Sequence, residues 1–195
     1  MTAPRLDRDF YRRDPRLVAP ELLNKVLVRD GLSARIVEVE AYCGSIDPGS
    51  HAYRGRTKRN AVMFGPPGGL YVYFTYGMHW CANAVCGDEE EGVAVLLRAA
   101  APLTGIDRMR DARGPAARRD RDLCSGPAKL CEALGLDRTF DGADLVTDDR
   151  GVTIVDDGMP PPAQPGNSSR IGLSAGADHP WRWFVAGDIN LSRRG

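Results

Sequence analysis

Glu38 and Glu40 stand two residues apart in the string Arg35-Ile36-Val37-Glu38-Val39-Glu40-Ala41-Tyr42, and His51 follows nine residues after Tyr42. A carboxylate that faces a pocket can take a proton from water, and an aromatic beside it can stack on a planar ring. If the same face meets only solvent, both glutamates are ordinary solvated charges. A second chemical string is Leu96-Leu97-Arg98-Ala99, in which a cation follows an apolar run and needs a buried partner. A third is Tyr71-Val72-Tyr73-Phe74-Thr75-Tyr76-Gly77-Met78-His79-Trp80-Cys81-Ala82-Asn83, an aromatic-rich stretch with Gly77 in the middle.

The elements that must position these groups are readable from period and turn chemistry. Residues 34–42 alternate at period 2 and predict a strand. That period places Ile36, Glu38, Glu40 and Tyr42 on one face, with Arg35, Val37, Val39 and Ala41 on the other. Lys25–Arg29 predicts a partner strand joined through Asp30-Gly31-Leu32-Ser33, a hairpin signal. Residues 70–76 and 79–86 predict a hairpin with Tyr76 at its tip, and 93–99 predicts an apolar strand carrying Arg98. Pro20 is read as opening a short helix. Residues 103–135 predict helices broken at Gly114-Pro115 and Ser125-Gly126-Pro127, the latter a helix start able to hold a phosphate or simply a cap. Residues 1–15 are expected to be irregular, 157–169 a Pro/Gly/Ser linker or loop, 170–173 a strand and 181–185 a core strand.

The 195 residues suffice for one domain spanning 1–195. Lysine plus arginine equals aspartate plus glutamate at 26 each, which excludes a uniformly basic coat but not a basic face. Arg54, Arg56, Lys58 and Arg59 lie together without an acid, six arginines fall between 108 and 121, and the part after Glu132 is mainly acidic. One basic side on a neutral chain fits a polyanion, although arginines on a helix also simply solvate it. The five cysteines form no C-x-x-C pair and have no clustered histidines, so zinc is not expected. The N-terminus has no apolar core of a signal peptide, and no run approaches a membrane span. A reduced, soluble, intracellular protein is expected.

Taken together and in order, Glu40-Ala-Tyr42, His51, the 71–83 hairpin, Leu96-Leu-Arg98-Ala and Leu123-Cys-Ser-Gly-Pro-Ala-Lys-Leu-Cys131 resemble the alkyladenine (3-methyladenine) DNA glycosylase family, the type also found in vertebrates. The resemblance runs from about Lys25 to Val185. It implies a monofunctional enzyme of base-excision repair that flips damaged purines from double-stranded DNA and hydrolyses the N-glycosidic bond with an activated water. By resemblance Glu40 is the general base and Arg98 positions the water, with a backbone carbonyl in Arg170-Ile171-Gly172 as a third contact. Tyr42 would form one stacking wall, and His51 with Tyr73 the other. Asn83 would screen bases by their exocyclic amino group, and Tyr76, with Met78 beside it, would wedge into the duplex. Arg54, Arg56, Lys58 and Lys129 are the candidates for phosphate contacts. The hairpin return 79–83 departs from the vertebrate pattern, and the chain is expected to lack the extended N-terminal arm of vertebrate members.

The implied architecture is α+β, a single mixed domain whose curved antiparallel sheet carries a protruding β-hairpin and flanking helices. No metal or organic cofactor is expected, since water is the nucleophile, and none of the three lysines falls in the pocket strings, which leaves a Schiff-base step unsupported. A monomer is expected, in the cytoplasm and nucleoid if the source is bacterial. Two other readings of the same residues stay open at this point. One is a nucleoside or sugar hydrolase using Glu38 and Glu40 as a pair. The other is a non-catalytic nucleic-acid-binding module with aromatics as a stacking platform.

Overall fold

A computed structural model describes residues 3–193. The chain forms an open antiparallel sheet with a few short helices. Strands β1 (Val26–Arg29) and β2 (Leu32–Cys43) are joined by Asp30 and Gly31, both at positive φ, the tight turn that an Asp-Gly pair favours. Strands β3 (Gly69–Thr75) and β4 (His79–Cys86) make the predicted hairpin, and β5 (Val93–Thr104) lies between β4 and β2. The short strands β6 (Ala143–Asp144), β7 (Val152–Val155), β8 (Gly166–Ser168) and β9 (Arg182–Phe184) complete it. The main order is β6-β3-β4-β5-β2-β1-β7. The long strand β2 is the junction, because its free edge pairs first with β1 and then, at Glu38–Glu40, with β9, which in turn carries β8. The sheet does not close into a barrel.

Helices α1 (Arg8–Tyr11), α2 (Pro15–Leu22), α3 (Ile106–Arg113) and α4 (Pro127–Leu134) flank it. Leu22, Leu97, Leu130 and Leu134 belong to the main core that helices and sheet share. Ala52, Met63, Phe64, Tyr71, Val85 and Ala94 form a smaller cluster beneath the 44–64 loop. The site lies on this second side.

Several boundaries differ from expectation. The irregular stretch 1–15 contains α1, because Asp7 caps the N–H of Phe10 and Tyr11 is fully buried. Pro20 does not open a helix but lies inside α2, whose first residue is Pro15 behind the Asp14 cap. Residues 103–135 are less helical than their composition suggests, since β5 runs on to Thr104 and only α3 and α4 are α-helical there. The strand expected at 170–173 lies instead at Gly166–Ser168, inside the stretch expected to be a linker, where it pairs with β9.

The facial assignment of β2 also changes. Ile36 pairs with Ala100, Glu38 with Ala99 and Val39 with Leu97, so the register shifts on both sides of Glu38, skipping Val37 on β2 and Arg98 on β5, and the irregularity interrupts the alternation at Val37. Ile36 therefore points into the main core with Val39 and Ala41, not to the side of Glu38, Glu40 and Tyr42.

Candidate active site

The irregularity aims two carboxylates away from the apolar core while β5 brings Arg98 alongside them. Glu40 is fully buried. Its Oε2 accepts from the Tyr42 hydroxyl at 2.9 Å and from Arg98 Nη1 at 3.2 Å, and its Oε1 accepts from the Ile171 N–H at 2.7 Å. A carboxylate has about four acceptor positions, so three donors leave room for one water. At Ile171 it is the backbone N–H that meets Glu40.

Glu38 lies deeper in the same network. Its Oε1 accepts from Arg98 Nε at 3.1 Å, Arg182 Nε at 2.8 Å and the Ser192 hydroxyl at 2.7 Å, and its Oε2 accepts from the Ser192 N–H at 2.6 Å. Burial presses the Glu38 pKa upward, but these donors and the two guanidinium groups prevail and hold it below the usual carboxylate value. Glu38 thus has no proton to give, which speaks against a paired-carboxylate acid and base. Its place is to fix Arg98, and Arg98 in turn bridges Glu38 and Glu40.

Tyr42, which donates to Glu40, lines a cleft with Gly49, His51, Met63, Tyr71, Tyr73, Asn83 and Leu173, with a volume of about 60 Å³. The His51 and Tyr73 rings meet edge to face at 4.5 Å, and Tyr71 stacks on Tyr73 at 5.4 Å. His51 Nδ1 lies 3.1 Å from the Tyr71 hydroxyl. Desolvation and the Arg59 guanidinium both lower the His51 pKa, which favours the neutral ring. Burial raises the Tyr71 phenol to about 12, and raises Tyr42 and Tyr73 as well. Asn83 is directly opposite Tyr71 on the neighbouring strand, and its amide donates to the Tyr71 carbonyl at 3.1 Å, so it both lines the cleft and braces the hairpin. A wider groove, about 610 Å³ along Gly187–Arg193, has only Phe184 as an aromatic and offers no pair of rings.

Behind Tyr42 lies an ion pair the sequence did not reveal. Arg170 and Asp47 are both fully buried at their side chains, with Nη1–Oδ2 at 2.6 Å and Nη2–Oδ1 at 2.7 Å. Arg170 also donates to the carbonyls of Ala41 and Gly176. Burial would raise the Asp47 carboxyl, but Arg170 and the N–H groups of Cys43 and Gly49 hold it low. The pair leaves no room at Gly49, where a Cβ would stand 2.9 Å from Arg170 Nη2 and 2.9 Å from Leu173 Cδ1. Gly49→Ala should therefore displace Arg170 and Leu173 and destabilise the fold by about 1–3 kcal/mol, the usual cost of overpacking. Urea unfolding of the two proteins checks this.

The hairpin tip projects. Tyr76 is 81% and Met78 68% exposed, and the turn holds Tyr76 and Gly77 at positive φ, unusual for a tyrosine. Among the cations expected to meet phosphate, Arg54 and Lys58 are exposed. Arg56 is exposed but paired with Glu90 at 2.7 Å, and Lys129, in the first turn of α4, donates to Ser125. Arg59 donates to the Phe74 carbonyl, which ties this basic loop to the hairpin. In the second basic run, Arg108 pairs with Asp30, Arg110 with Asp107 and Asp120, and Arg113 with Glu132. These arginines are largely neutralised within the chain. Among the described residues no three His, Cys, Asp or Glu side chains gather as a metal cage, and no helix is long and apolar enough to cross a membrane.

Comparison with known proteins fits this geometry. The profile of the family described as methylpurine-DNA glycosylase matches residues 9–189. A protein of Burkholderia lata, provisionally named 3-methyladenine DNA glycosylase, is 58% identical over 96% of this chain and 90% of its own length. Proteins with the same provisional name from Streptomyces avermitilis and Carboxydothermus hydrogenoformans are 50% and 45% identical, over 96% and 97% of this chain and 90% and 99% of theirs.

Proposed function

Because the chain belongs to the methylpurine-DNA glycosylase family and is thus a hydrolase of N-glycosyl bonds in DNA with damaged bases, we propose that Glu40 activates the attacking water and that the Tyr42–His51–Tyr73 cleft receives a purine flipped from duplex DNA. The observation that carries this reading is the Glu40 carboxylate, buried and bonded to the Tyr42 wall of an aromatic cleft, with three donors fixing it and one acceptor position left.

A stacked base is out of reach, and extruding it costs a few kcal/mol, less for a damaged pair. Tyr76 at the exposed tip, supported by Met78, fills the gap, as inserted side chains do elsewhere. Arg54, Arg56, Lys58 and Lys129 hold phosphates, Arg56 exchanging its surface partner Glu90 for the backbone. Each ring stacked on the extruded base contributes about 1–3 kcal/mol. Asn83, which lines the cleft, screens the base edge, and a His51 ring whose neutral form is favoured adds little repulsion of a cationic base. As the C–N bond breaks, positive charge grows on the sugar and Glu40 stabilises it. The water oxygen bonds to the anomeric carbon, its proton passes to Glu40, and the purine leaves with the bonding electron pair. Arg98 and the Ile171 backbone keep the carboxylate and water aligned. The molecule acts as a monomer and works wherever the genome lies, on the nucleoid if the source is bacterial.

The test is excision from duplex oligonucleotides carrying hypoxanthine, ethenoadenine or no lesion, with alkali to reveal abasic sites. Lesion-dependent strand breaks are expected. Absence of breaks on these and on methylated DNA, with lesion binding preserved, would leave a binding module instead.

A further inference from the structure

The Tyr42 wall has a charged backing that excision alone does not explain. Arg170 Cζ lies 4.7 Å from the Tyr42 ring centroid and 5.1 Å from that of Trp181, and Arg170 is not among the residues lining the cleft. Tyr42 therefore has its cleft on one side and a guanidinium on another. The six charged side chains buried around the site balance, with Glu38, Glu40 and Asp47 against Arg98, Arg170 and Arg182. Glu40 meets Tyr42 at the hydroxyl, whereas the Arg170–Asp47 pair places a guanidinium over the Tyr42 ring itself. Glu38 and Arg182 form their own contact deeper in, and Arg98 is shared between the two glutamates.

We infer that the Arg170–Asp47 pair is a specificity-determining device that keeps the wall behind Tyr42 electrically neutral, so that the cleft accepts cationic and neutral damaged purines alike. The inference rests on the excision reading above. An aromatic face attracts cations through its quadrupole, and a cation already on the ring weakens that attraction for a second one. A base stacked on Tyr42 would lie roughly 8–10 Å from Arg170 Cζ, given ordinary ring separations. At that range, with an effective dielectric near 20, an uncompensated unit charge changes an equilibrium by roughly fifteen- to thirtyfold. Asp47, bidentate on the same guanidinium, cancels it.

The reaction makes this measurable. A purine methylated at a ring nitrogen enters as a cation and leaves neutral, whereas hypoxanthine enters neutral and gathers negative charge as its bond breaks. At any given extent of bond breaking the methylated base carries one unit of positive charge more than the neutral one. The ratio of kcat/KM for the two lesions therefore reports the charge of the wall, and it does not depend on what fraction of a preparation is folded.

The experiment compares release of 3-methyladenine from methylated duplex DNA with release of hypoxanthine from a single-lesion duplex. Asp47→Asn keeps the side-chain size and one acceptor oxygen but leaves Arg170 uncompensated. Its ratio of 3-methyladenine to hypoxanthine excision should fall roughly fifteen- to thirtyfold, whereas Asp47→Glu should restore the wild-type ratio. A merely structural role for Asp47 would lower both activities and leave the ratio unchanged, which would overturn the inference. If Asp47→Asn does not fold, the double variant Asp47→Asn/Arg170→Met, with both charges removed, should keep the wild-type ratio, and a fall of roughly fifteen- to thirtyfold there would overturn it too. A wild-type protein that takes only one of the two lesions also overturns it. One that excises neither lesion defeats the excision reading itself.

Discussion

Glu40→Gln should lower single-turnover excision of hypoxanthine about a thousandfold while leaving affinity for the lesion duplex within a few fold of wild type. The expectation follows from what glutamine keeps and what it loses. It keeps the volume, so the cleft beside Tyr42 does not collapse. It also keeps one oxygen for the donors around it, although its NH₂ must face at least one of Tyr42, Arg98 and Ile171, all of which donate to Glu40. It loses the negative charge that opposes the growing charge on the sugar, and the basic oxygen that takes the water's proton. General-base contributions are typically 10²–10⁴-fold, and the electrostatic loss adds to that. The neutral lesion is the stringent substrate, because an alkylated purine is already a good leaving group. On the proposed reading, binding draws on Tyr76, the aromatic walls and the basic loop, none of which changes. Wild-type excision by Glu40→Gln would remove Glu40 from the chemistry and shift attention to another water-holding group.

Much of this arrangement was readable in the chain because strand and turn signals are local. The period-2 run at 34–42, the Asp30-Gly31 turn and the Tyr76-Gly77 tip all lie within a few residues of what they determine. Glu40, Tyr42, His51, Tyr73, Asn83 and Arg98 stand close together in the fold, and Ile171 meets Glu40 directly. What was not readable depends on distant partners. Asp47 and Arg170 are 123 residues apart, Glu38 and Arg182 are 144 apart, and Glu38 and Ser192 are 154 apart. No local pattern records such pairing. The irregularity at Val37 is likewise invisible, since it is set by how β5 registers against β2 and not by any turn residue. The basic run 108–121 stayed open between a polyanion face and a solvated helix, because two of its acid partners, Asp30 and Glu132, are brought to it only by folding.

Arg98→Met should destabilise the protein by about 3–5 kcal/mol and abolish excision. Arg98 donates to both Glu38 and Glu40, and both acids are fully buried. Methionine fills much of the same space, so the loss is not chiefly one of packing. It comes from leaving buried carboxylates without a shared cation, the costly way to break a buried ion pair. Arg182 and Ser192 still hold Glu38, and Tyr42 and Ile171 still hold Glu40, which keeps the effect within that range. The pH dependence separates this account from a cavity effect. In the wild type the Glu38 pKa is depressed, with Arg98 among the causes. A depressed carboxylate contributes stability above its unfolded value of about 4.3, and that contribution is lost as pH falls through the folded value. The gap between wild type and Arg98→Met in urea unfolding should therefore be widest near pH 7 and narrow below about pH 4 as Glu38 is protonated in both proteins. A cavity would cost the same at either pH. A constant gap would show that Arg98 acts through packing, and the charge network would then have to be assigned to function alone.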